Sequence, residues 1–216
     1  MSSRSSKLKN IYRVLYKKFG PQKWWPADSP FEVIVGAVLT QNTNWLNVEK
    51  AINNLKKAGK LSLKSIRKLR QEQLAALIRP AGYFNIKAKR LQNVINFLYN
   101  NYQGSLSRFF GQDIGSLRRE LLSINGVGPE TADSIMLYAG NKPVFVVDAY
   151  TKRFLSRHKV LAAEKDYHDF QRLFMDNLPK SVKMFNEYHA LIVRLAKEYC
   201  LSKNPKCKIC PLKLLK

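Results

Sequence analysis

Acidic residues are what this chain most lacks: 15 Asp and Glu stand against 38 Lys and Arg, a net charge of +23 over 216 residues, with a pI near 10.1. Self-repulsion on that scale opposes a compact state, so a polyanionic partner is expected: nucleic acid first, an anionic membrane surface second. Long apolar runs are also missing. The longest, Val33 to Leu39, is far short of the ~20 residues that a membrane span needs. The opening MSSRSSKLKN is short, basic and Ser-rich with no apolar stretch behind it, so it reads as a flexible arm and not as a signal peptide. A soluble protein of the cytoplasm, associated with the nucleoid, is expected. Cysteine is scarce too: the three present all fall in the last seventeen residues, which is no disulfide framework and points to metal ligands. Against these shortages, 45% hydrophobic and 11% aromatic residues are enough for a core and exclude wholesale disorder. The length allows one large domain or two small ones, burying roughly 70% of the unfolded surface.

Helical periodicity dominates. Ile11, Leu15 and Phe19 recur every four residues; Leu91, Val94, Ile95 and Leu98 repeat the pattern, as do Ala132, Ile135, Met136 and Ala139. The best strand candidate, PVFVVDAY (Pro143 to Tyr150), is short and has no second strand to pair with, so it reads as a buried connection into a helix. Pro21, Pro26 and Pro30 punctuate a loop, and glycines at 82, 104, 111 and 115 mark breaks between helices. The fold class is all-α. Basic residues cluster twice. Lys56 to Arg70 holds seven Lys or Arg and no acid, and the tail from Leu201 carries Lys203, Lys206, Lys208, Lys213 and Lys216, again with none. A solvated face explains the first cluster as well as a binding surface does; the second lies among the cysteines.

The most informative stretch is LLSINGVGPETADSIMLYAGNKPVFVVDAY, Leu121 to Tyr150. Its centre reads as a helix, a tight turn on Gly126-Val127-Gly128, and a second helix opened by Pro129, whose missing N–H costs nothing in a first turn. Glycines let the backbone approach a ligand, and the helix N-terminus offers free N–H groups and partial positive charge, which suits phosphate. Alone, G-V-G reads more readily as a plain turn between helices.

The whole run resembles the helix-hairpin-helix of the base-excision DNA glycosylase superfamily: Gly126, Val127 and Gly128 match the hairpin, Gly140 and Pro143 the following loop, and Asp148 the position of the family's catalytic Asp. The resemblance is to the endonuclease III branch over nearly the whole chain. FEVIVGAVLTQNTNW (Phe31 to Trp45) is similar to its helix with a Gln-bearing turn, IRPAGYFNIKAKRL (Ile78 to Leu91) to its next helical hairpin, and Cys200, Cys207 and Cys210 match the first three ligands of its 4Fe–4S loop. The resemblance implies two helical lobes with a central cleft. Residues 31–142 would form a six-helix lobe ending in the hairpin, and residues 1–30 with 143–216 the second lobe. It also implies a monomer acting on double-stranded DNA that contains a damaged base.

Two departures stand out. Bifunctional members carry a Lys in the second hairpin helix that forms a Schiff base; position 130 here is Glu, and a carboxylate cannot form an imine. Lys142 and Lys152 lie nearby, but neither matches the family position. A monofunctional enzyme without AP-lyase activity is therefore expected. In the metal loop the fourth Cys would fall at position 216, which is Lys216. A cube wants four thiolates, so the cluster takes another ligand, is labile, or is vestigial; a zinc site would need a fourth ligand too. His189 is expected to be packed or hydrogen-bonded, and His158 and His168 give no pattern.

All three tryptophans, Trp24, Trp25 and Trp45, precede residue 46, two of them in the Pro-bounded loop KWWPADSP. They are core filling or a base pocket. Electron-rich rings attract cations, and a purine alkylated at N3 or N7 is cationic and a good leaving group. The WWP loop, the aromatic after QNT and Glu130 together resemble the 3-methyladenine DNA glycosylases of the branch. On that resemblance Trp24, Trp25 and Trp45 line the base pocket, Glu130 stands at its wall, Gln41 fills the gap left by the flipped nucleotide, and Lys203, Lys206 and Lys208 contact the DNA backbone. Lys87, Lys89 and Arg90 would add to that footprint. The alternatives are an endonuclease III-like glycosylase for oxidised or mismatched pyrimidines and a non-catalytic helix-hairpin-helix DNA-binding protein.

Overall fold

A computed structural model describes residues 3–213, and among these every regular element is helical. The helices, in order, are α1 (Ser3–Phe19), α2 (Pro30–Leu39), α3 (Trp45–Lys57), α4 (Leu63–Arg67), α5 (Gln71–Leu77), α6 (Phe84–Tyr102), α7 (Leu106–Phe110), α8 (Ile114–Ser123), α9 (Pro129–Ser134), α10 (Ala149–Arg157), α11 (Tyr167–Met175) and α12 (Val182–Glu198). None is long and apolar enough to cross a membrane. The chain forms two compact units: Ala27 to Lys142, and the residues up to Pro26 together with those from Pro143 onward.

The first unit is built around α2. Ser29 caps it by accepting from Glu32 N (3.2 Å), Pro30 opens it, and every residue from Phe31 to Leu39 is buried. A helix apolar all round has to be central, and α2 packs against α3, α6 and α9. The longest helix here, α6, presents Ala88, Leu91, Val94, Ile95 and Leu98 as its buried stripe. It also buries Lys87, 1% exposed, whose ammonium donates to the carbonyls of Leu39 (2.8 Å) and Ala81 (2.7 Å). That corrects the expected DNA footprint. Lys87 caps the C-terminus of α2 instead of facing solvent; burial and the nearby Arg90 lower its pKa to about 8. The last element, α9, runs on into a single π-helical turn, Ile135–Ala139.

The second unit packs α12 against both α1 and α10. Leu8, Ile11 and Leu15 form the buried face of α1, and the Tyr188 hydroxyl donates to Leu8 O at 2.9 Å. An aromatic cluster fills the centre: Phe145 stacks on Phe174 with centroids 3.7 Å apart, and Phe185 meets Phe145 edge-on at 5.5 Å. The stretch Val144 to Val147, which resembles a strand in sequence, is indeed a buried connection. Side chains do the work of a partner strand. Gln171 Nε2 donates to Phe145 O (2.8 Å), Phe145 N donates to Met175 Sδ (3.3 Å), and Val147 N donates to the Tyr167 hydroxyl (3.3 Å).

Candidate active site and nucleic-acid interface

In the first unit α8 and α9 make a helical hairpin. Asp113 caps α8 by accepting from Ser116 N (3.0 Å), and the turn closes with Val127 N donating to Ile124 O (3.0 Å). Gly126 sits at φ +95°, and a Cβ there would lie 2.3 Å from Arg90 Cγ, so both backbone and packing demand glycine. Gly128 has an ordinary φ of −93° and open space where a Cβ would go; its bareness keeps the approach to the start of α9 clear.

Two carbonyls of this turn accept from side chains. Asn93 Nδ2 donates to Asn125 O (2.9 Å), and Gln41 Nε2 donates to Gly126 O (3.0 Å) and to Thr131 Oγ1 (2.9 Å). Arg90 Nη1 in turn donates to Gln41 Oε1 at 2.5 Å, fixing the amide's orientation. With Asn125 O and Gly126 O occupied and the first N–H groups of α9 lacking intrahelical partners, the turn presents donors and partial positive charge. Gln41 is thus fastened to the hairpin in this conformation. Across the hairpin Arg118 grips the fully buried Asp133 in a two-pronged pair, Nε to Oδ1 at 2.8 Å and Nη2 to Oδ2 at 3.1 Å. Neither that pair nor the Arg90–Gln41 link leaves a periodic or motif signal in the sequence.

Asp148, in the second unit, is the N-cap of α10. One carboxylate oxygen accepts from Thr151 N at 2.7 Å, and the other lies 3.5 Å from His189 Nε2 on α12. Both side chains are nearly buried. Burial pushes the Asp148 carboxyl up, but His189 and the Thr151 N–H outweigh it and hold the pKa below the ordinary 3.8. His189 is packed, as its sequence context suggests, and its placement against Asp148 is what the sequence does not reveal.

Trp24 and Trp25 are half-buried, with ring centroids 5.0 Å apart and planes at 52°. Trp45, in the other unit, is the first residue of α3, half-buried behind the Asn44 cap. Glu130 is exposed in the first turn of α9, where its charge suits the helix dipole. Lys142 Nζ donates to Gln112 O (2.8 Å), and Lys152 lies over the Phe170 ring at 5.6 Å.

Cys200 and Cys210 are buried and Cys207 is exposed. Two arginines on α10 organise the start of this loop: Arg153 Nε donates to Cys200 O (2.8 Å), while Arg157 donates to Leu201 O and to Ser202 O (2.8 Å). Burial, with Cys200 and Cys207 close by, raises the Cys210 thiol above its ordinary value. Lys203, Lys206 and Lys208 are exposed around the thiols. Position 216 lies outside the described residues. Among those described, no group of three or more His, Cys, Asp or Glu is arranged to hold a metal ion. Three thiols fall one short of the four thiolates that an iron–sulfur cube takes.

Regular structure that is all helical among the described residues, with a glycine-turned helical hairpin followed by a buried aspartate at a helix N-terminus, is the pattern of the helix-hairpin-helix class. Residues 35–180 match the HhH-GPD superfamily of base excision DNA repair proteins, and the chain belongs to that family, in its endonuclease III branch. It is 50% identical over 205 residues to the Methanocaldococcus jannaschii protein named "Putative DNA repair glycosylase MJ1434", covering 94% of this chain and 92% of the relative. Endonuclease III of Thermotoga maritima is 26% identical over 209 residues, 95% of this chain and 90% of its own. Among solved structures, the Helicobacter pylori 3-methyladenine DNA glycosylase bound to 1,N6-ethenoadenine aligns with a TM-score of 0.79 at 31% identity, over 91% of this chain and 98% of that one. A trapped endonuclease III–DNA covalent intermediate shares the fold, with a TM-score of 0.85 at 23% identity over 100% of this chain and 96% of that one.

Proposed function

We propose that this protein is a monofunctional DNA glycosylase that hydrolyses the N-glycosidic bond of an alkylated purine such as 3-methyladenine, with Asp148 as its catalytic carboxylate. The observation that carries this reading is the carboxylate itself. It is buried, is held ionised well below neutral pH by His189 and the Thr151 N–H, and follows a phosphate-binding type of hairpin. As the C1′–N bond breaks, the base leaves with the bonding pair and the sugar becomes cationic. A fixed anion stabilises that charge, and water then adds to C1′, losing its proton to Asp148.

A cationic purine departs as a neutral base and needs little acid assistance, which suits a site with one carboxylate. Trp24, Trp25 and Trp45 are the rings offered to such a base, with Glu130 as the acid beside it. Support for this substrate class comes from the likeness to the H. pylori 3-methyladenine glycosylase at 31% identity. Glu130 cannot form an imine, and the ammonium of Lys142 donates to a carbonyl, so β-elimination through the family's lysine position is not expected. The hairpin N–H groups and the lysines at 203, 206 and 208 take DNA phosphates. Cys200, Cys207 and Cys210 supply three of the four thiolates that an iron–sulfur cube takes, and base release as described does not depend on it.

The test is base release from a methylated duplex, with and without alkali. Free 3-methyladenine, with strand breaks only after alkali, is the expected result. Breaks at oxidised pyrimidines without alkali would overturn it in favour of an endonuclease III-like activity, a reading kept open by the 26% identity to T. maritima endonuclease III. Binding to DNA without release of any base would leave a non-catalytic binding protein.

A further inference from the structure

The hairpin and the C-terminal lysines do not absorb the basic run from Lys56 to Arg70, and the structure sorts its seven cations into two kinds. Two are engaged. Lys56 Nζ pairs with Asp28 (2.7 Å) and Glu32 (2.8 Å), and the Arg67 guanidinium lies over the Tyr99 ring at 4.1 Å. The other five, Lys57, Lys60, Lys64, Lys68 and Arg70, are exposed, and none forms an ion pair among the described residues.

These cations stand on an ordered backbone. Lys60 N donates to Leu55 O (2.8 Å), Ser62 caps α4 through Ser65 N (3.1 Å), and Ile66 is fully buried beneath the segment. The turn into α5 is held by Gln92 of α6, whose Nε2 donates to Leu69 O at 3.0 Å. The next residue along α6, Asn93, holds the hairpin turn through Asn125 O. Consecutive residues of one helix therefore anchor the basic segment and the hairpin within the same compact unit.

Five uncompensated like charges on a rigid scaffold repel one another in the free protein, and a polyanion with closely spaced charges relieves that repulsion. We infer that the surface from α3 to the start of α5 is a second phosphate-binding face, which takes the backbone of the duplex flanking the damaged base. The inference rests on the reading above that DNA is the partner, and it adds a footprint outside the hairpin.

The test replaces Lys57, Lys60, Lys64 and Lys68 together by Gln. A control removes the same charge from exposed lysines of the other unit, Lys159, Lys165, Lys180 and Lys183. Binding to a long duplex is measured over a range of salt concentrations. Each lost phosphate contact lowers the slope of log K against log salt by about 0.9, so the first variant should lose about 2 to 4 in slope and bind at least about tenfold more weakly at low salt, while the control stays near wild type. Equal slopes for the variant and wild type would overturn the inference and leave the run as a solvated face. Equal losses in the variant and the control would overturn it as well, since net charge alone would then account for the effect. Wild-type protein that binds no duplex at all would instead bring down the reading of DNA as partner.

Discussion

Asp133 and Asp148 are both buried aspartates, one in each compact unit, and their surroundings differ in kind. Asp133 is matched oxygen for oxygen by Arg118, a permanent cation on the neighbouring helix of the same hairpin. Asp148 has one oxygen on a backbone N–H and the other 3.5 Å from an imidazole. The first arrangement ties two helices of the hairpin together. The second keeps an anion charged at low solvent exposure with no guanidinium or ammonium paired to it among the described residues, the condition that electrostatic stabilisation of a cation requires. Burial of a carboxylate is common to both; a permanent guanidinium partner for Asp133, against a backbone N–H and an imidazole for Asp148, is what separates them.

The largest effect that sharpens this contrast is on stability. Arg118→Met leaves Asp133 buried without its guanidinium and should cost about 3–5 kcal/mol, read as a fall in urea midpoint. Gly126→Ala comes next. It forces a Cβ into φ +95° and into Arg90, and should cost about 1–3 kcal/mol while weakening DNA binding more than base release by the bound fraction. Smaller still is the difference between two substitutions of Asp148. Asn retains an oxygen for Thr151 N and Ala does not, so Asp148→Ala should be about 1 kcal/mol less stable than Asp148→Asn.

The pH dependence has a definite sign. The folded pKa of Asp148 lies below the unfolded value, so its stabilisation is complete above about pH 4 and is lost as pH falls through the folded value. The acid limb of base release should likewise lie below the ordinary aspartate range. An acid limb near neutrality would mean that Asp148 is not held as described.

Local chemistry was legible in the sequence, and long-range pairing was not. Gly126, Val127, Gly128 and Pro129 announce a hairpin because turn and first-helical-position requirements act over a few residues. The apolar run Val33 to Leu39 likewise announces a buried helix. The buried connection at Val144 to Val147 could be told from a strand only because the sequence offers no second strand to pair with it. Lys87 misled. Its neighbours Lys89 and Arg90 suggest a basic face, yet the helix turns Lys87 inward beneath two carbonyls. The links of Arg90 to Gln41, 49 residues apart, and of Arg118 to Asp133, 15 apart, arise from packing of separate helices and have no spacing rule. The same holds for His189, which meets Asp148 only because α12 packs on α10.

The most direct measurement compares single-turnover release of 3-methyladenine from a methylated duplex by wild type and Asp148→Asn, with thermal unfolding of both in parallel. Because Asn keeps the cap and removes the charge, release should fall by at least about 10²-fold with little change in unfolding temperature. Undiminished release by the folded Asn variant would contradict the assignment of Asp148 and with it the distinction drawn between the two aspartates.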